Sequence, residues 1–174
     1  PEDFDHFEPY LINAMNRVPS LERSGIRKFF NGPESFTPDT NYLLGETPEL
    51  RNLFMCGGFN SIGIVSSGGA GKITAEWMMN GEMHEDIFSL DISRFEKFHS
   101  ELNFITERVT ETLGNLYAMH WPFKQLSTSR NQKLMPYHNY LAKKGACFGQ
   151  TAAYERPMWY AINGNEPKYK YSYG

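Results

Sequence analysis

The sequence has few cysteines, little net charge and no long apolar run, and each shortage narrows what the protein can be. Its two cysteines, Cys56 and Cys147, lie outside any C-x-x-C pattern. Cys56 is expected to be a small buried hydrophobic residue within a strand, and so few cysteines are compatible with a protein from a reducing compartment. The formal net charge is only −3, so we expect no nucleic acid partner. No apolar run approaches the ~20 residues that span a bilayer, so we expect no membrane partner.

Metal-ligand spacing is missing as well. The five histidines never lie three or four residues apart, and none pairs with a cysteine at ligand spacing, so no metal site is predicted. His120 is instead expected to pack and to hydrogen-bond the backbone. No acid–base constellation is visible, and no residue is predicted to be catalytic. The N-terminus PEDFDHFEPY is acidic and aromatic, whereas a signal peptide is basic and then apolar.

What the sequence does contain is a glycine-dense segment at residues 57–79, directly after an apolar strand predicted at residues 53–56. Glycines let backbone amides approach a ligand closely, and a helix start offers unpaired N–H groups and the positive end of the helix dipole. We predict a turn and then a helix over residues 70–80, with Ser66 or Ser67 as N-cap and Gly81 as the left-handed stop. This segment is the best candidate for a cofactor contact.

Two phosphate-binding motifs do not match this segment. A Walker-type loop needs glycine, four residues, then Gly-Lys-Ser/Thr, but Ser66 stands at the first glycine and Ile73 at the hydroxyl position. The dinucleotide fingerprint G-x-G-x-x-G continues through Gly69 and Gly71 and then meets Thr74. A plain strand, turn and helix without a ligand stays an alternative.

Elsewhere the apolar periodicity predicts an α+β chain. Helices are expected over residues 5–18, 91–117 and 137–144, and extended chain over residues 26–31 and 154–173. At the start of the helix predicted over residues 91–117, Ser93 and Glu96 are expected to form a capping box. Its apolar face is predicted to comprise Leu102, Ile105, Val109, Leu113 and Leu116.

Five segments in collinear order resemble the dimethylglycine and sarcosine dehydrogenase family. They are GPESFTPD at 32–39, LGE at 44–46, the glycine segment with its AEWM, ERP at 155–157 and WYA at 159–161. The resemblance implies an FAD-dependent amine oxidoreductase with a glycine-oxidase-type flavin domain. Its expected reaction is oxidation of an N-methylated glycine-like amine, of the dimethylglycine or sarcosine type, by hydride transfer to flavin.

The resemblance also implies a role for the glycine segment. In glycine-oxidase-type flavoenzymes, the last strand, turn and helix close over the isoalloxazine end of FAD. Flavin reduction places negative charge around N1 and the C2 carbonyl, and free amides at a helix start stabilise it without an ionised side chain. The implied contacts, mostly through backbone, are Gly63, Ile64, Val65, Ser66, Ser67, Gly68 and Gly69.

By the same resemblance, the chain is expected to be part of a longer protein. Family members carry a Rossmann-type segment for the ADP half of FAD before this region and a folate-binding domain after it. Residues 1–95 are then the C-terminal part of the FAD and substrate domain, and residues 96–174 a small, mainly helical linker domain. We expect weak FAD retention by the chain alone, self-association through apolar surface, and a cytoplasmic location, or the mitochondrial matrix in a eukaryote.

One position departs from the family pattern. Glycine oxidases and their close relatives have an arginine three residues before Thr-Pro-Asp, where it would bind the substrate carboxylate, but here the residue is Glu34. A carboxylate there would repel an acid group, so the amine of the substrate is better supported than its carboxylate. The segment Thr37-Pro38-Asp39 also fits ordinary turn chemistry.

The segment around Glu155 and Trp159 is expected to have a structural role. Glu155 and Arg156 are expected to pair with charges across an interface to the flavin domain, where Trp159 and Tyr160 bury a large surface area.

The alternative to an enzyme is a non-catalytic regulatory relative, because the regulatory subunit of pyruvate dehydrogenase phosphatase resembles the same enzymes over this region, including the glycine turn with AEWM.

Overall fold

The chain folds as two units that divide between Glu34 and Ser35. The computed structural model describes residues 2–83, 85–119, 121–122 and 124–169. Helices and strands both occur along the chain, as the sequence predicted. Across the described ranges, none of the helices is long and apolar enough to cross a membrane.

The first unit contains one helix, a 3₁₀ turn and an irregular segment. Helix α1, Phe4–Arg17, lies close to the predicted range, and Asp3 caps it by accepting a hydrogen bond from the His6 amide at 2.9 Å. The extended strand predicted at residues 26–31 is wrong, because these residues have no regular secondary structure. A strand needs a partner strand; here the Phe29 ring packs instead on Phe4, with 4.4 Å between ring centroids.

The second unit opens with a two-stranded antiparallel hairpin that α2 contacts. Strand β1, Leu43–Glu46, pairs with β2, Phe54–Gly57, and helix α2, Gly63–Asn80, follows. The strand predicted at residues 53–56 is confirmed within one residue. A small core forms where β1 and α2 meet the segment after α2, and its buried residues are Leu44, Ala70 and Ile87.

Close packing in this core requires one glycine. Gly45 in β1 has φ +105°, and a Cβ at this position would overlap the Trp77 ring of α2.

Cys56 in β2 was predicted to be buried, and this is wrong, because its side chain is exposed. A two-stranded hairpin leaves each strand with an unpaired edge, so β2 is not an interior strand, and its four residues are half-buried or exposed.

Helix α2 begins at Gly63, earlier than the predicted start at residue 70. Ser66 and Ser67 therefore do not cap it, and the Ser66 amide already donates to the Ile62 carbonyl at 3.0 Å. The prediction relied on the low helix propensity of glycine, which costs about 1 kcal/mol per residue. Tertiary packing overrides that cost through Ala70, which is 1% exposed. Gly81 ends the helix at φ +76°, as predicted.

The single helix predicted over residues 91–117 is broken. Two 3₁₀ turns, Ile92–Arg94 and Lys97–Ser100, precede helix α3, Leu102–Asn115. The capping box lies at Glu96 and His99, where the His99 Nδ1 accepts from the Glu96 amide at 2.9 Å. The box predicted at Ser93 and Glu96 is therefore wrong.

The buried face of α3 also differs from the predicted face. Phe104, Arg108 and Thr112 are its buried residues, whereas Leu102 and Leu113 of the predicted face are exposed. Helical spacing of aliphatic residues misses this face because a long arginine side chain can lie inside when its polar end finds acceptors.

The C-terminal part forms a three-stranded sheet with strand order β3-β5-β4. Its elements are β3 (Lys133–Leu134), α4 (His138–Lys143), β4 (Ala146–Thr151) and β5 (Tyr154–Tyr160). Strand β5 runs parallel to β3 and antiparallel to β4. The helix predicted over residues 137–144 is confirmed within a residue at each end. The extended chain predicted over residues 154–173 is confirmed over β5 and is wrong over residues 161–169, which have no regular secondary structure. Residues 170–173 lie outside the described residues.

A buried ion pair joins β5 to the loop before β3. Glu155 is 0% exposed and accepts hydrogen bonds from Arg130 Nε at 2.8 Å, the Asn131 amide at 2.9 Å and Gln150 Nε2 at 3.2 Å. Burial raises the pKa of Glu155, but these hydrogen bonds outweigh it and hold the pKa below its ordinary value. The predicted pairing of Glu155 across an interface to residues 1–95 is wrong, since Arg130 belongs to the same segment, and Arg156 is exposed.

We expect Arg130→Gln to destabilise the protein strongly. The substitution leaves the Glu155 carboxylate buried without its charged partner, which typically costs about 3–5 kcal/mol. Arg156→Gln is the matched control, and because Arg156 is exposed its effect should stay within about 0.5 kcal/mol. Urea denaturation measures both free energies of unfolding, and equal losses in the two variants would contradict the structural role of the pair.

Glu111 makes stability depend on pH. Its carboxylate accepts from the amide and hydroxyl of Ser127, at 2.8 Å each, and from the amide and hydroxyl of Thr128. Burial raises the pKa of Glu111, but these four hydrogen bonds lower it to about 2, from an ordinary value of 4.5. The pKa of Glu111 is lower in the folded protein than in the unfolded chain. Glu111 therefore contributes its full stabilisation at pH values above its ordinary pKa of 4.5, and this contribution is lost as the pH falls toward 2.

We therefore expect Glu111→Gln to lower the free energy of unfolding at pH 7 and to change it much less near pH 2.5. The exposed Glu49 provides the control variant Glu49→Gln. Denaturant titrations at several pH values measure the difference from the wild type. A Glu111→Gln deficit that stays constant across this range would show that the carboxylate charge does not hold the loop.

Candidate functional site

The first turn of α2 presents backbone amides beside exposed apolar side chains. Gly63, Ile64 and Val65 occupy the first three helical positions, where an α-helix leaves N–H groups without intrahelical acceptors. Ile62 at the N-cap supplies no side-chain hydrogen bond. The side chains of Ile64 and Val65 are 98% and 83% exposed. A ligand can therefore reach both the amides and the positive end of the helix dipole.

The other four predicted contact residues lie on the next turn. The Ser66 amide is already bonded within the helix, and the Ser67 hydroxyl donates to the Ile64 carbonyl at 3.0 Å. A Cβ added at Gly68 or Gly69 would meet no atom within 4 Å, so this side of the helix is open. The seven predicted residues thus lie together at the helix start, and the first three have amides available for a ligand. Their contact with FAD stays a prediction.

A buried polar pair holds the turn that leads into α2. Asn60 is 2% exposed and Thr37 is 4% exposed. The Thr37 amide donates to Asn60 Oδ1 at 2.9 Å, and Asn60 Nδ2 donates to Thr37 Oγ1 at 3.0 Å. The Asn60 amide also donates to the Ser35 carbonyl at 3.1 Å. The segment before β1 is thereby fixed to the start of α2.

Sequence reasoning missed Asn60 as a positioning residue. Its backbone has φ +47°, a left-handed conformation that asparagine tolerates better than most residues. An asparagine within the glycine-rich turn carried this signal. Next to it, Gly58 is required, because a Cβ there would approach the Thr37 methyl group to 2.8 Å.

The Thr-Pro-Asp segment has a structural role. Thr37 Oγ1 donates to the Asn41 carbonyl at 2.8 Å. Asp39 pairs with Arg94, whose Nε and Nη2 lie 2.7 and 3.0 Å from its two carboxylate oxygens. These contacts are those of an ordinary turn anchored by an ion pair. Glu34, which replaces the family arginine, is exposed.

Metal chemistry finds no support in the described ranges, where no three histidine, cysteine, aspartate or glutamate side chains are placed to hold one ion. His84 and His120 lie outside the described residues. The packing predicted for His120 therefore stays a prediction.

Comparison with known families defines the class of protein. The protein-family model described as FAD dependent oxidoreductase matches residues 1–77 of the chain. The family model described as FAD dependent oxidoreductase central domain matches residues 80–134. Two segments of the chain thus match FAD-dependent oxidoreductase family models. The chain belongs to the family that includes sarcosine dehydrogenase, dimethylglycine dehydrogenase and 4-methylaminobutanoate oxidase, which confirms the resemblance seen in the sequence.

Three relatives illustrate the similarity. The 4-methylaminobutanoate oxidase (formaldehyde-forming) of Paenarthrobacter nicotinovorans is 46% identical over 99% of this chain and 21% of that protein. The mitochondrial sarcosine dehydrogenase of Homo sapiens is 37% identical over 98% of this chain and 19% of that protein. The mitochondrial pyruvate dehydrogenase phosphatase regulatory subunit of Mus musculus is 38% identical over 91% and 18%. The chain spans about a fifth of the length of these relatives.

We expect Asn60→Gly to lower the free energy of unfolding by about 1–3 kcal/mol, because it leaves buried polar groups of Thr37 without their partners. Glycine accepts the positive φ, so the loss reports the hydrogen bonds. The matched control is Asn163→Gly, since Asn163 has φ +57° and is exposed. Denaturant unfolding measures both variants, and a control as damaging as Asn60→Gly would assign the effect to backbone entropy.

Proposed function

We propose that this chain supplies the isoalloxazine-facing helix start of an FAD-dependent oxidoreductase that oxidises an N-methylated, glycine-like amine. The observation that supports this most is the first turn of α2, where the amides of Gly63, Ile64 and Val65 lie beside exposed apolar side chains. The relatives named above also support it: the names sarcosine dehydrogenase and dimethylglycine dehydrogenase specify N-methylated glycines, and the name 4-methylaminobutanoate oxidase specifies an N-methylated amine with a longer chain.

The chemistry asks little of ionised side chains. FAD, when bound, supplies the acceptor for a hydride from the amine. The amides of the first turn of α2 would donate hydrogen bonds where negative charge develops, and the helix dipole adds to their effect. Ile64 and Val65 would keep water away from these donors, which strengthens the interaction. The Asn60 and Thr37 pair holds this turn in place.

The organisation around this site is also part of the proposal. Residues 1–95 would complete an FAD and substrate domain, and residues 96–174 would form a linker domain that leads toward a folate-binding domain. The matched family models change between residues 77 and 80, which supports two domains but puts the change earlier in the chain than residue 95. Relatives named as mitochondrial support the matrix as one location. Ile64, Val65 and Met79, 85% exposed, support self-association of the chain alone.

A regulatory function without catalysis is the second candidate. The pyruvate dehydrogenase phosphatase regulatory subunit is 38% identical, compared with 46% for the oxidase, so similarity favours the enzyme. A regulatory protein would conserve the fold around α2 without reducing flavin. Substrate-dependent flavin reduction therefore separates the two functions.

In the full-length protein that contains this segment, we expect anaerobic addition of sarcosine, dimethylglycine or 4-methylaminobutanoate to bleach the absorbance of the oxidised flavin. Trimethylglycine is the control, because its quaternary nitrogen has no lone pair to assist hydride loss. Reduction by none of the three amines in a flavin-loaded protein would contradict the enzymatic proposal and favour the regulatory one.

The first-turn amides should raise the flavin midpoint potential. Ile64→Pro removes one N–H donor at a position where a helix tolerates proline, whereas the control Ile64→Ala removes the side chain and keeps the amide. A hydrogen bond to a charged group contributes about 1.5–3 kcal/mol. We therefore expect the midpoint potential of Ile64→Pro to be about 30–60 mV lower than that of Ile64→Ala, for a two-electron couple. Equal potentials in the two variants, measured by redox titration of the full-length protein, would exclude a contact from this amide.

A further inference from the structure

A second candidate site lies in the second unit, in a cavity of about 740 Å³ between the 3₁₀ turns, α3 and the C-terminal sheet. None of the seven residues predicted to contact FAD lines it. Four phenylalanines, Phe88, Phe95, Phe98 and Phe104, are among the lining residues. The cavity can therefore accommodate a small molecule with an apolar body.

The charges that line this cavity do not balance. They are Asp39, Glu96, Arg94, Arg108 and Lys133. Arg94 pairs with Asp39, and Lys133 pairs with Glu96. Arg108 has no ion pair with any residue that the structure describes. The lining thus carries one positive charge in excess.

Arg108 is deeply buried, with 6% of its surface exposed. Among the residues that the structure describes, its guanidinium has only neutral acceptors: Nη1 donates to Gln150 Oε1 at 2.9 Å, and Nη2 donates to the carbonyls of Thr128 and Ser129. Its Nε is buried and has no partner among the described residues. Burial lowers the pKa of Arg108, and the nearby Glu111 only partly opposes this.

A buried guanidinium without a counter-ion is costly, and an anionic ligand beside it would reduce that cost. We propose that this cavity binds a small monocarboxylate with an apolar body, whose carboxylate pairs with Arg108. Gln150 also lines the cavity, so the carboxylate would displace its amide oxygen, a weaker acceptor, from Nη1 of Arg108. One negative charge suffices because the other cations are neutralised by Asp39 and Glu96.

Isothermal titration calorimetry of the purified protein without FAD tests this proposal, with phenylacetate as probe. We expect phenylacetamide, its neutral isostere, to bind at least tenfold more weakly, because it offers no charge to Arg108. Acetate should bind more weakly than phenylacetate, because it lacks the apolar body. No binding of phenylacetate up to about 10 mM, the range of the weakest specific ligands, or equal binding of the amide would overturn the proposal. Inorganic phosphate that binds as tightly as phenylacetate would overturn the carboxylate class.

Two variants place the ligand in the cavity. Arg108→Gln should abolish binding, whereas the control Arg156→Gln, at an exposed arginine outside the cavity lining, should leave it unchanged. Leu116→Trp fills the cavity without replacing Arg108 or its acceptors and should weaken binding at least tenfold, even if Arg108→Gln fails to fold. Unchanged phenylacetate affinity in a folded Leu116→Trp or Arg108→Gln variant would overturn the assignment. Because no FAD is present, these results are independent of the proposed oxidoreductase function.

Discussion

The start of α2 depends on the buried contact between Asn60 and Thr37. This contact joins the segment before β1 to the turn after β2, so the hairpin and the helix start are fixed to each other at their ends. Packing of Ala70 and Trp77 against β1 fixes them along their length. A helix start held at two places loses little entropy when a ligand binds its amides, which is the physical advantage of preorganised donors.

The part of the chain after α2 is held together mainly by buried polar contacts. Glu155 and Arg130 join the sheet to the loop before β3, and Glu111 fixes residues 127 and 128 of the same loop to α3. Arg108 then bonds the carbonyls of that loop. Such networks specify one arrangement when every member has a partner. Arg108 has no ion pair with any described residue and also lines the cavity.

The sequence predicts local elements well where one signal dominates. The periodicity of α1, the apolar run of β2 and the glycines that end α2 and α4 each correspond to an observed element. It fails where tertiary contacts override local preference: glycines lie inside α2, and Arg108 takes a core position on α3 in place of leucines. The family resemblance selects residues 63–69 as a group, and the structure shows that they lie together at the start of α2, while their contact with flavin stays a prediction. Asn60 and the cavity could not be predicted, because both depend on contacts between residues far apart in the chain.

The account as a whole rests on the contact between the first turn of α2 and the flavin. A crystal structure of the full-length protein with bound FAD tests it most directly. We expect at least one amide nitrogen among Gly63, Ile64 and Val65 within about 3.2 Å of the flavin pyrimidine N1 or C2 oxygen, the reach of a hydrogen bond. A flavin bound elsewhere, with this turn facing protein or solvent, would contradict the account.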